Sequence, residues 1–478
     1  MKIRIVALAA LLVLGACGGG SMSGGNASNS VGVATSGVIS AFGSVFVNGV
    51  RYDISAARLQ KNGKSVTQSA LAVGEVALVH GKQDRASGQG SAESVDVEDN
   101  VVGPAAAINV AANTLTVLGQ QVIVTANTSF AASIVSGDLS GLLADDLIEV
   151  SGLVDASGAI TATRIGRAEA GEALQVLGAV ALLDAAAHTF MVNGLKVEFS
   201  TATLEGFAPG QPTDADVVIV RGTAFDAATV TLTATEVRRA DSERSEAASG
   251  ERVEQEGLVT RFVSATDFDV NGAPVTTTMN TVFEDGTVGD IAMNARIEVH
   301  GTLDANQVLV ADVVEIDHVA VIALAATVEK VDSANNTLQV LGVDITVDTT
   351  TRFEDKSSAH IQMFTLKDVN VGDSVLVRGF ESPAASGKLQ ARRLERVAPG
   401  TEVEVRGPFT ASTAPQFQIL GVLVDASNAS FGGVEDQMTM TSAEFFAQAP
   451  GQVVEVRGTA AGDVVTASQV RIDHEEDR

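Results

Sequence analysis

The sequence predicts an all-β protein: a tandem array of six small barrels of five to six strands each, behind an N-terminal signal peptide and a flexible tether. Valine and threonine on a background of 46 glycines favour strands joined by many turns. A short run of alternating apolar and variable residues, ended by glycine, occurs six times. Such alternation is typical of a strand with one buried face. The copies are VALVHG (76–81), LIEVSG (147–152), VVIVRG (217–222), RIEVHG (296–301), SVLVRG (374–379) and VVEVRG (453–458).

The N-terminal residues are typical of a signal peptide. Lys2 and Arg4 precede an apolar run that is too short to span a bilayer, and the segment Leu14-Gly15-Ala16-Cys17 follows it. This pattern resembles the signal of bacterial lipoproteins, which implies cleavage after residue 16 and lipidation of Cys17. Several acyl chains would anchor the protein firmly. Gly18 replaces the aspartate of an inner-membrane retention signal, so we expect a lipid-anchored protein of the bacterial cell envelope, at the outer membrane.

A second marker, a strand that ends in Asn-Gly or Leu-Gly, precedes each alternating run. Asn-Gly between two strands predicts a hairpin because both residues tolerate positive φ. The copies are SVFVNG (44–49), TLTVLG (114–119), TFMVNG (189–194), DFDVNG (267–272), TLQVLG (337–342) and QFQILG (416–421). A phenylalanine recurs after the hairpin, which predicts a core position rather than a ligand platform; the residues are Phe130, Phe283, Phe353 and Phe431.

Each repeat is therefore expected to hold a first strand, a hairpin of strands two and three, a longer connection, the alternating fourth strand and a fifth strand. Five strands in about 65–80 residues suggest a small closed barrel that is OB-like in strand count. An immunoglobulin-like sandwich, the alternative, usually needs about seven strands and roughly 100 residues.

The predicted segments follow from these markers. They are a signal peptide (1–16), a lipidated cysteine and tether (17–36), repeats at 37–101, 102–170 and 171–240, a charged linker (241–253), repeats at 254–319, 320–400 and 401–474, and a tail (475–478). The linker is expected to divide the array into two sets of three. With one cysteine in the chain, no disulfide between cysteines of one chain can form, and each barrel must be held by its own core alone. Contacts between neighbouring barrels would help, and an arrangement as beads on a string is the alternative.

The opening repeat carries a resemblance to a known family. Residues 36–53 read SGVISAFGSVFVNGVRYD, and this stretch closely resembles bacterial repeats classified as domain of unknown function 5666. The resemblance covers nearly the whole chain beyond the tether and is loosest in the sixth repeat. It implies a cell-envelope lipoprotein of small β-barrel repeats. The family has no assigned catalytic residues, so none is transferred.

The histidines form no pattern typical of a metal site or of acid–base catalysis. His80 and His300 precede the glycine of the alternating run, where other copies have serine or arginine, which predicts an outward-facing variable position and a surface histidine. The other four lack paired spacing and are expected at the surface; they are His188, His318, His360 and His474. Acidic turns that a calcium ion would require occur at 96–99, at 284–286 and at Asp312 with Glu315 and Asp317, but none matches a calcium-binding loop.

No catalytic, cofactor or metal residues are therefore predicted. Nucleophile and phosphate-binding motifs are missing from the sequence. With 59 acidic against 31 basic residues, no tryptophan and one tyrosine, the chain is not expected to bind nucleic acid. The sequence favours a non-enzymatic spacer or interaction array whose partners are the membrane and either another envelope protein or an extended peptide. The alternative is an envelope hydrolase or a calcium-dependent binding protein that uses one diverged repeat.

Overall fold

In a computed structural model, the structure describes residues 31–84, 87–169, 171–207, 210–240, 249–317, 321–383, 386–433, 439–462 and 464–473. Cys17, the signal peptide and the tail lie outside these ranges. We number the units in chain order. Unit 1 holds β1 (Val31–Ala41), β2 (Val45–Val47), β3 (Val50–Asp53), β4 (Arg58–Lys61), β5 (Lys64–Ser65), β6 (Val76–Asp84) and β7 (Gln89–Val97). Unit 2 holds β8 (Val101–Asn109), β9 (Thr114–Val117), β10 (Gln120–Ile123), β11 (Ser129–Phe130), β12 (Leu147–Val154) and β13 (Ile160–Arg167).

The next two units follow the same order of strands. Unit 3 holds β14 (Leu174–Ala179), β15 (Ala181–Asp184), β16 (Thr189–Val192), β17 (Leu195–Glu198), β18 (Thr203–Glu205), β19 (Val217–Asp226) and β20 (Thr231–Arg239). Unit 4 holds β21 (Arg252–Ser264), β22 (Asp267–Val270), β23 (Ala273–Thr276), β24 (Val282–Glu284), β25 (Arg296–Leu303) and β26 (Leu309–Ile316).

The last two units complete the described chain. Unit 5 holds β27 (Ile322–Asp332), β28 (Thr337–Val340), β29 (Val343–Thr346), β30 (Arg352–Asp355), β31 (Ser374–Glu381) and β32 (Leu389–Arg396). Unit 6 holds β33 (Val403–Thr413), β34 (Gln416–Ile419), β35 (Val422–Asp425), β36 (Ser430–Gly432), β37 (Thr439–Met440), helix α1 (Ser442–Gln448), β38 (Val453–Ala461) and β39 (Val464–Asp473). The all-β prediction is confirmed.

Units 2, 4 and 5 are closed five-stranded barrels with one extra strand. In unit 2, β8, β9 and β10 pair antiparallel in turn. Strand β10 then pairs in parallel with β13, β13 pairs with β12, and β12 returns to β8 and closes the ring. Units 4 and 5 repeat these pairings, and the extra strands β11, β24 and β30 each run parallel to the fifth strand of the ring. The barrel prediction is confirmed for these units, and the sandwich is excluded there.

The remaining units show related pairings with local additions. Unit 1 adds the short hairpin β4–β5, which lies beside β7. The first strand of unit 3 is interrupted at Val180, so that β14 pairs with β19 and β15 with β16. Unit 6 inserts α1, which begins with a capping box between Thr441 and Glu444. Phe445 of this helix is buried against Phe409 and Phe417 of the barrel.

The glycine of the alternating run does not end its strand. In every copy the strand continues past it, and the pairing with the fifth strand shifts at that glycine, as between His300 and Gly301. A β-carbon at Gly301 would lie 2.1 Å from the carbonyl oxygen of Val310, so the bulge admits only glycine there. The same shift occurs at Gly81, Gly152, Gly222, Gly379 and Gly458.

The hairpin marker forms the predicted tight turn. Asn48 and Gly49 both have positive φ, as do Leu341 and Gly342. Leucine rarely adopts this conformation, but Leu341 is buried, and apolar contact offsets the backbone cost. In unit 2 the equivalent Leu118 lies over Gly103 of the first strand, where a β-carbon would contact its side chain at 2.6 Å.

The cores fill the barrels, and two of them continue from one unit into the next. Units 2 and 3 share one apolar cluster, and units 5 and 6 share another, whereas units 1 and 4 each hold their own. Of the recurring phenylalanines, Phe130 and Phe353 are buried, and Phe283 and Phe431 are half-buried against the core. They are therefore core residues, as the repeat pattern predicts.

The units pair through their first strands. Strand β8 pairs with β14, and β27 pairs with β33, so that units 2 and 3 and units 5 and 6 are joined. Strand β1 pairs in parallel with β21, which joins units 1 and 4 across the charged linker. The predicted division into two sets of three is therefore wrong as a description of packing, because strand pairing connects the two halves. Residues 241–248 of the linker lie outside the described ranges.

We predict that Gly301→Ala destabilises the protein by about 1–3 kcal/mol, the usual cost of overpacking, because its β-carbon would press on a paired backbone carbonyl. Gly400→Ala is the matched control, since its β-carbon would meet no atom within 4 Å. Thermal unfolding followed by circular dichroism measures both variants. Equal transition temperatures for Gly301→Ala and wild type would contradict the role assigned to the bulge.

Candidate functional site at the junctions between units

The variable position before the bulge glycine faces the neighbouring units. Ser151 of unit 2 is fully buried, and its hydroxyl accepts a hydrogen bond from the backbone N–H of Val76 in unit 1, at 2.8 Å. Arg221 of unit 3 donates to both carboxylate oxygens of Glu98 at 3.1 and 2.9 Å. The position points away from its own barrel, as predicted, but adjacent units cover it in several copies.

His300 occupies this position in unit 4 and is buried, so the prediction of a surface histidine is wrong for it. Its Nδ1 lies 2.9 Å from Glu254 and its Nε2 lies 2.8 Å from Glu298. Gln83 of unit 1 donates a hydrogen bond of 2.5 Å to Glu254 and accepts one of 2.9 Å from the hydroxyl of Tyr52. A chain of polar groups therefore crosses the interface between units 1 and 4.

The charge state of this cluster follows from its contacts. Burial alone would lower the pKa of His300, but the contacts with Glu254 and Glu298 outweigh it and raise the pKa to about 9. Burial raises the pKa of Glu298, and His300 opposes that rise. His300 is therefore an imidazolium at neutral pH that bridges two carboxylates.

These three residues are also the cluster of the described chain that could hold a metal ion, since their ligand atoms lie within 4.8 Å of one another. Both ring nitrogens of His300 face carboxylates, however, and both carry protons in the imidazolium. A metal ligand must be a neutral imidazole. The geometry therefore favours an internal ion pair over a metal centre.

A polar cavity of about 60 Å³ lies beside this cluster, where units 1, 2, 4 and 5 meet. Unit 4 contributes most of its charge. Glu256 is half-buried, pairs with Arg296 and accepts a hydrogen bond of 2.8 Å from the backbone N–H of Val38 in unit 1. The lining residues are Val38, Ser40, Asn48, Gly49, Asn127, Glu256, Arg296, Ile297, Glu298, Glu315, Asp317, Thr350, Arg352 and Arg392.

Two groups in the cavity wall have strongly shifted pKa values. Burial and then the repulsion of Arg296 and Arg393 lower the pKa of Arg352 to about 9. Burial and then the neighbouring Glu298 raise the pKa of Glu315 to about 7. Strong perturbation of this kind in a cavity marks a candidate binding site.

A second charged junction joins units 1 and 2. Lys61 lies 2.7 Å from Glu75 and 2.9 Å from Glu149, and Asp99 is 3.8 Å away. Burial opposes its charge, but these three carboxylates raise the pKa of Lys61 above its ordinary value. Burial raises the pKa of Asp99 to about 7, although Lys61 opposes the rise. The charge of Lys61 is thus shared among three carboxylates at the interface between units 1 and 2.

Most carboxylates of the acidic turns that could have bound calcium form ion pairs with arginines. Asp317 lies 3.0 Å from Arg296 and 3.2 Å from Arg392, which comes from unit 5. Glu98 pairs with Arg221 and Arg238, and Asp312 lies 3.3 Å from Arg252. These carboxylates therefore serve ion pairs, several of them between units.

The remaining sequence-predicted residues are scattered. His188 and His360 are exposed, in agreement with the surface prediction, and His80 is half-buried. His318, His474 and Cys17 lie outside the described residues. Sequence reasoning did not identify Glu254, Glu256, Arg352 or Lys61. Single charged residues on alternating strands carry no motif, and only the pairing of distant units brings them together.

We predict that protonated His300 stabilises the protein by about 3 kcal/mol at most, from a pKa that rises from 6.5 to about 9 on folding. A raised histidine pKa gives stability that is fully present below pH 6.5 and is lost as the pH rises through 9. Glu315 has the same sign, with loss between its ordinary pKa and about 7. Chemical denaturation from pH 6 to 10 should show this decline, and His300→Gln should flatten it between pH 6.5 and 9.

His188→Gln is the control, because His188 is exposed and its replacement should leave the pH profile unchanged. An unchanged profile in His300→Gln would show that the imidazolium does not stabilise the interface.

Comparison with known families identifies three of the units. Residues 102–166, 256–315 and 326–395 match the family model described as Domain of unknown function (DUF5666). These ranges fall in units 2, 4 and 5, and they confirm the resemblance to that family as tandem copies. The opening repeat, from which the resemblance was inferred, lies outside the matched residues. None of the curated proteins matches the chain. Within the described ranges, no helix has the length and apolar character needed to cross a membrane.

Proposed function

The chain carries tandem copies of the domain DUF5666, and on that premise we propose that it is a non-enzymatic scaffold of six barrels, anchored by lipid at Cys17 in the bacterial cell envelope. The observation that supports this proposal is the set of contacts made by residues that differ between copies. At the variable position before the bulge glycine, Ser151 and Arg221 contact unit 1 directly, and His300 reaches unit 1 through Glu254, which accepts a hydrogen bond from Gln83. Polar side chains of the kinds that catalysis uses therefore take part in packing between units.

The contacts between units favour a compact scaffold over an extended spacer. The first strands of units 1 and 4 pair over four residues, Val33–Ser36 with Arg252–Gln255. Arg393 of unit 5 is buried, and its Nη1 donates a hydrogen bond of 2.7 Å to the carbonyl of Thr128 in unit 2. Beads on a flexible string would not bury an arginine between units that are distant in sequence.

Partner contacts are best placed on the connections between the third and fourth strands. Large apolar side chains are exposed there in three units. They include Val135 and Leu143 in unit 2, Met279, Val288 and Met293 in unit 4, and Ile361, Met363 and Val371 in unit 5. Exposed apolar residues that recur at one place in a repeat support binding of another envelope protein or an extended peptide. The acidic composition argues against nucleic acid.

We predict that Cys17→Ser moves the protein from the membrane fraction to the soluble fraction of bacterial cells, because no residue is left to carry the acyl chains. Ser23→Ala, a change within the predicted tether, is the matched control and should stay with membranes. Fractionation with detergent extraction provides the measurement. Retention of Cys17→Ser in the membrane fraction would reject the anchor while leaving the packing of the barrels unaffected.

We predict that the two halves remain associated after cleavage between units 3 and 4. A protease site is placed within residues 241–248 of the full chain, and cleavage is verified on a denaturing gel. Both fragments should then elute together on size exclusion. The β1–β21 pairing and the bond from Arg393 to Thr128 join the halves. Separate elution of the fragments would favour independent barrels. Crosslinking in the native envelope with mass spectrometry then identifies the partner.

A further inference from the structure

The cavity between units 1, 2, 4 and 5 presents a buried guanidinium with an unsatisfied hydrogen-bond donor. Arg352 is 5% exposed and lines the cavity. Its Nη1 has no hydrogen-bond partner, and none of the described residues forms an ion pair with its guanidinium. Glu256 and Asp317 attract this guanidinium from a greater distance, but a buried donor without an acceptor is unfavourable, so Nη1 requires an acceptor.

The same cavity also presents acceptors without donors. The side-chain carbonyl oxygens of Asn48 in unit 1 and Asn127 in unit 2 are buried and accept no hydrogen bond from the described residues. Glu298 and Glu315 stand in the same wall. Although His300 and Arg392 lie near them, burial and their mutual repulsion still raise the pKa of Glu315, which favours a further positive charge there. A simple anion would satisfy the arginine but meet these acids, whereas a simple cation would meet Arg352 and Arg392. The lining fits a ligand that carries both kinds of group.

We propose that this cavity binds a small molecule that carries a carboxylate together with an amino or hydroxyl donor, an α-amino acid of the size of glycine. The guanidinium of Arg352 matches a carboxylate, because its planar fork donates two parallel hydrogen bonds. The amino group donates to the oxygens of Asn48 and Asn127, and Glu298 and Glu315 compensate its charge. A cavity of about 60 Å³ holds only a few water-sized groups, which excludes larger side chains.

This site goes beyond the scaffold role and does not depend on the lipid anchor. Its walls come from four units, so the ligand binds the assembled protein and not a single barrel. Binding to the assembled form alone stabilises it in proportion to the logarithm of ligand concentration. Binding would therefore make the stability of the assembled units depend on the concentration of this small molecule.

The test uses the full chain and a series of four probes in thermal unfolding and calorimetry. Glycine carries both groups, glycolate replaces the amine by a hydroxyl, acetate lacks the donor, and methylamine lacks the carboxylate. Glycine should raise the transition temperature saturably, glycolate should do so more weakly, and acetate and methylamine should have no saturable effect. The proposal would be overturned if none of the probes raised the transition temperature saturably, because water alone would then satisfy the polar groups of the cavity. Equal shifts with glycine and acetate would overturn the two-ended ligand.

Variants separate the site from a general effect. Arg352→Met should weaken glycine binding by roughly tenfold or more, the loss expected for charge-assisted hydrogen bonds. Arg58→Met is the matched control, because Arg58 is an exposed arginine that pairs with Asp96 far from the lining. Should Arg352→Met fail to fold, Asn127→Leu should remove the advantage of glycine over acetate. Unchanged glycine binding in Arg352→Met or in Asn127→Leu would overturn the assignment of that residue and of the site.

Discussion

The architecture depends on one constraint, which is that each unit has only a small hydrophobic core. A unit of about 65–80 residues buries only about 60% of its unfolded surface, and the chain contains one cysteine, so no disulfide within the chain compensates. The structure meets this constraint by joining units. Val101 and Val176, both fully buried, face each other where β8 meets β14, so that one apolar cluster serves two barrels. The first strand of each unit is thus both a wall of its own ring and an edge for a neighbour.

Burial between barrels imposes a second condition on polar side chains. A strand that closes a ring must turn alternate residues outward, and the neighbouring unit covers these as it packs. Arg393 shows the outcome: it is buried, and its guanidinium is held by Glu354, Glu395 and the carbonyl of Thr128. Such ion pairs rarely add net stability, because desolvation cancels most of the attraction. They do discriminate between neighbours, since a wrongly placed unit would leave the arginine unpaired. We infer that they specify which unit packs on which.

Local structure could be predicted from the sequence, whereas contacts between units could not. Alternation around Gly301 and the Asn-Gly turn at Asn271 depend on a few adjacent residues, and both strands and hairpins follow from them. The pairing of Val33 with Arg252 depends on residues from opposite halves of the chain, and no local pattern encodes it. His300 was misplaced for this reason. The repeat correctly indicates that it points out of its barrel, but its carboxylate partner Glu254 lies at the interface with unit 1, where it accepts a hydrogen bond from Gln83. The candidate cavity could not be predicted for the same reason, because its lining residues come from four units.

The burial of cations between units also changes what the surface can bind. Lys61, Arg296, Arg352 and Arg393 lie between units, and carboxylates such as Glu75, Glu256 and Glu395 accompany them. The described chain buries only a few carboxylates, such as Glu75, Asp99 and Glu395, which is far fewer than the excess of acidic over basic residues behind the formal charge of −28. Most of the acidic side chains that the structure describes are therefore at least partly exposed. A polyanionic surface repels nucleic acid and the acidic headgroups of a membrane. Contacts with a partner should therefore concentrate where charge is sparse, at exposed apolar connections such as the one around Met279.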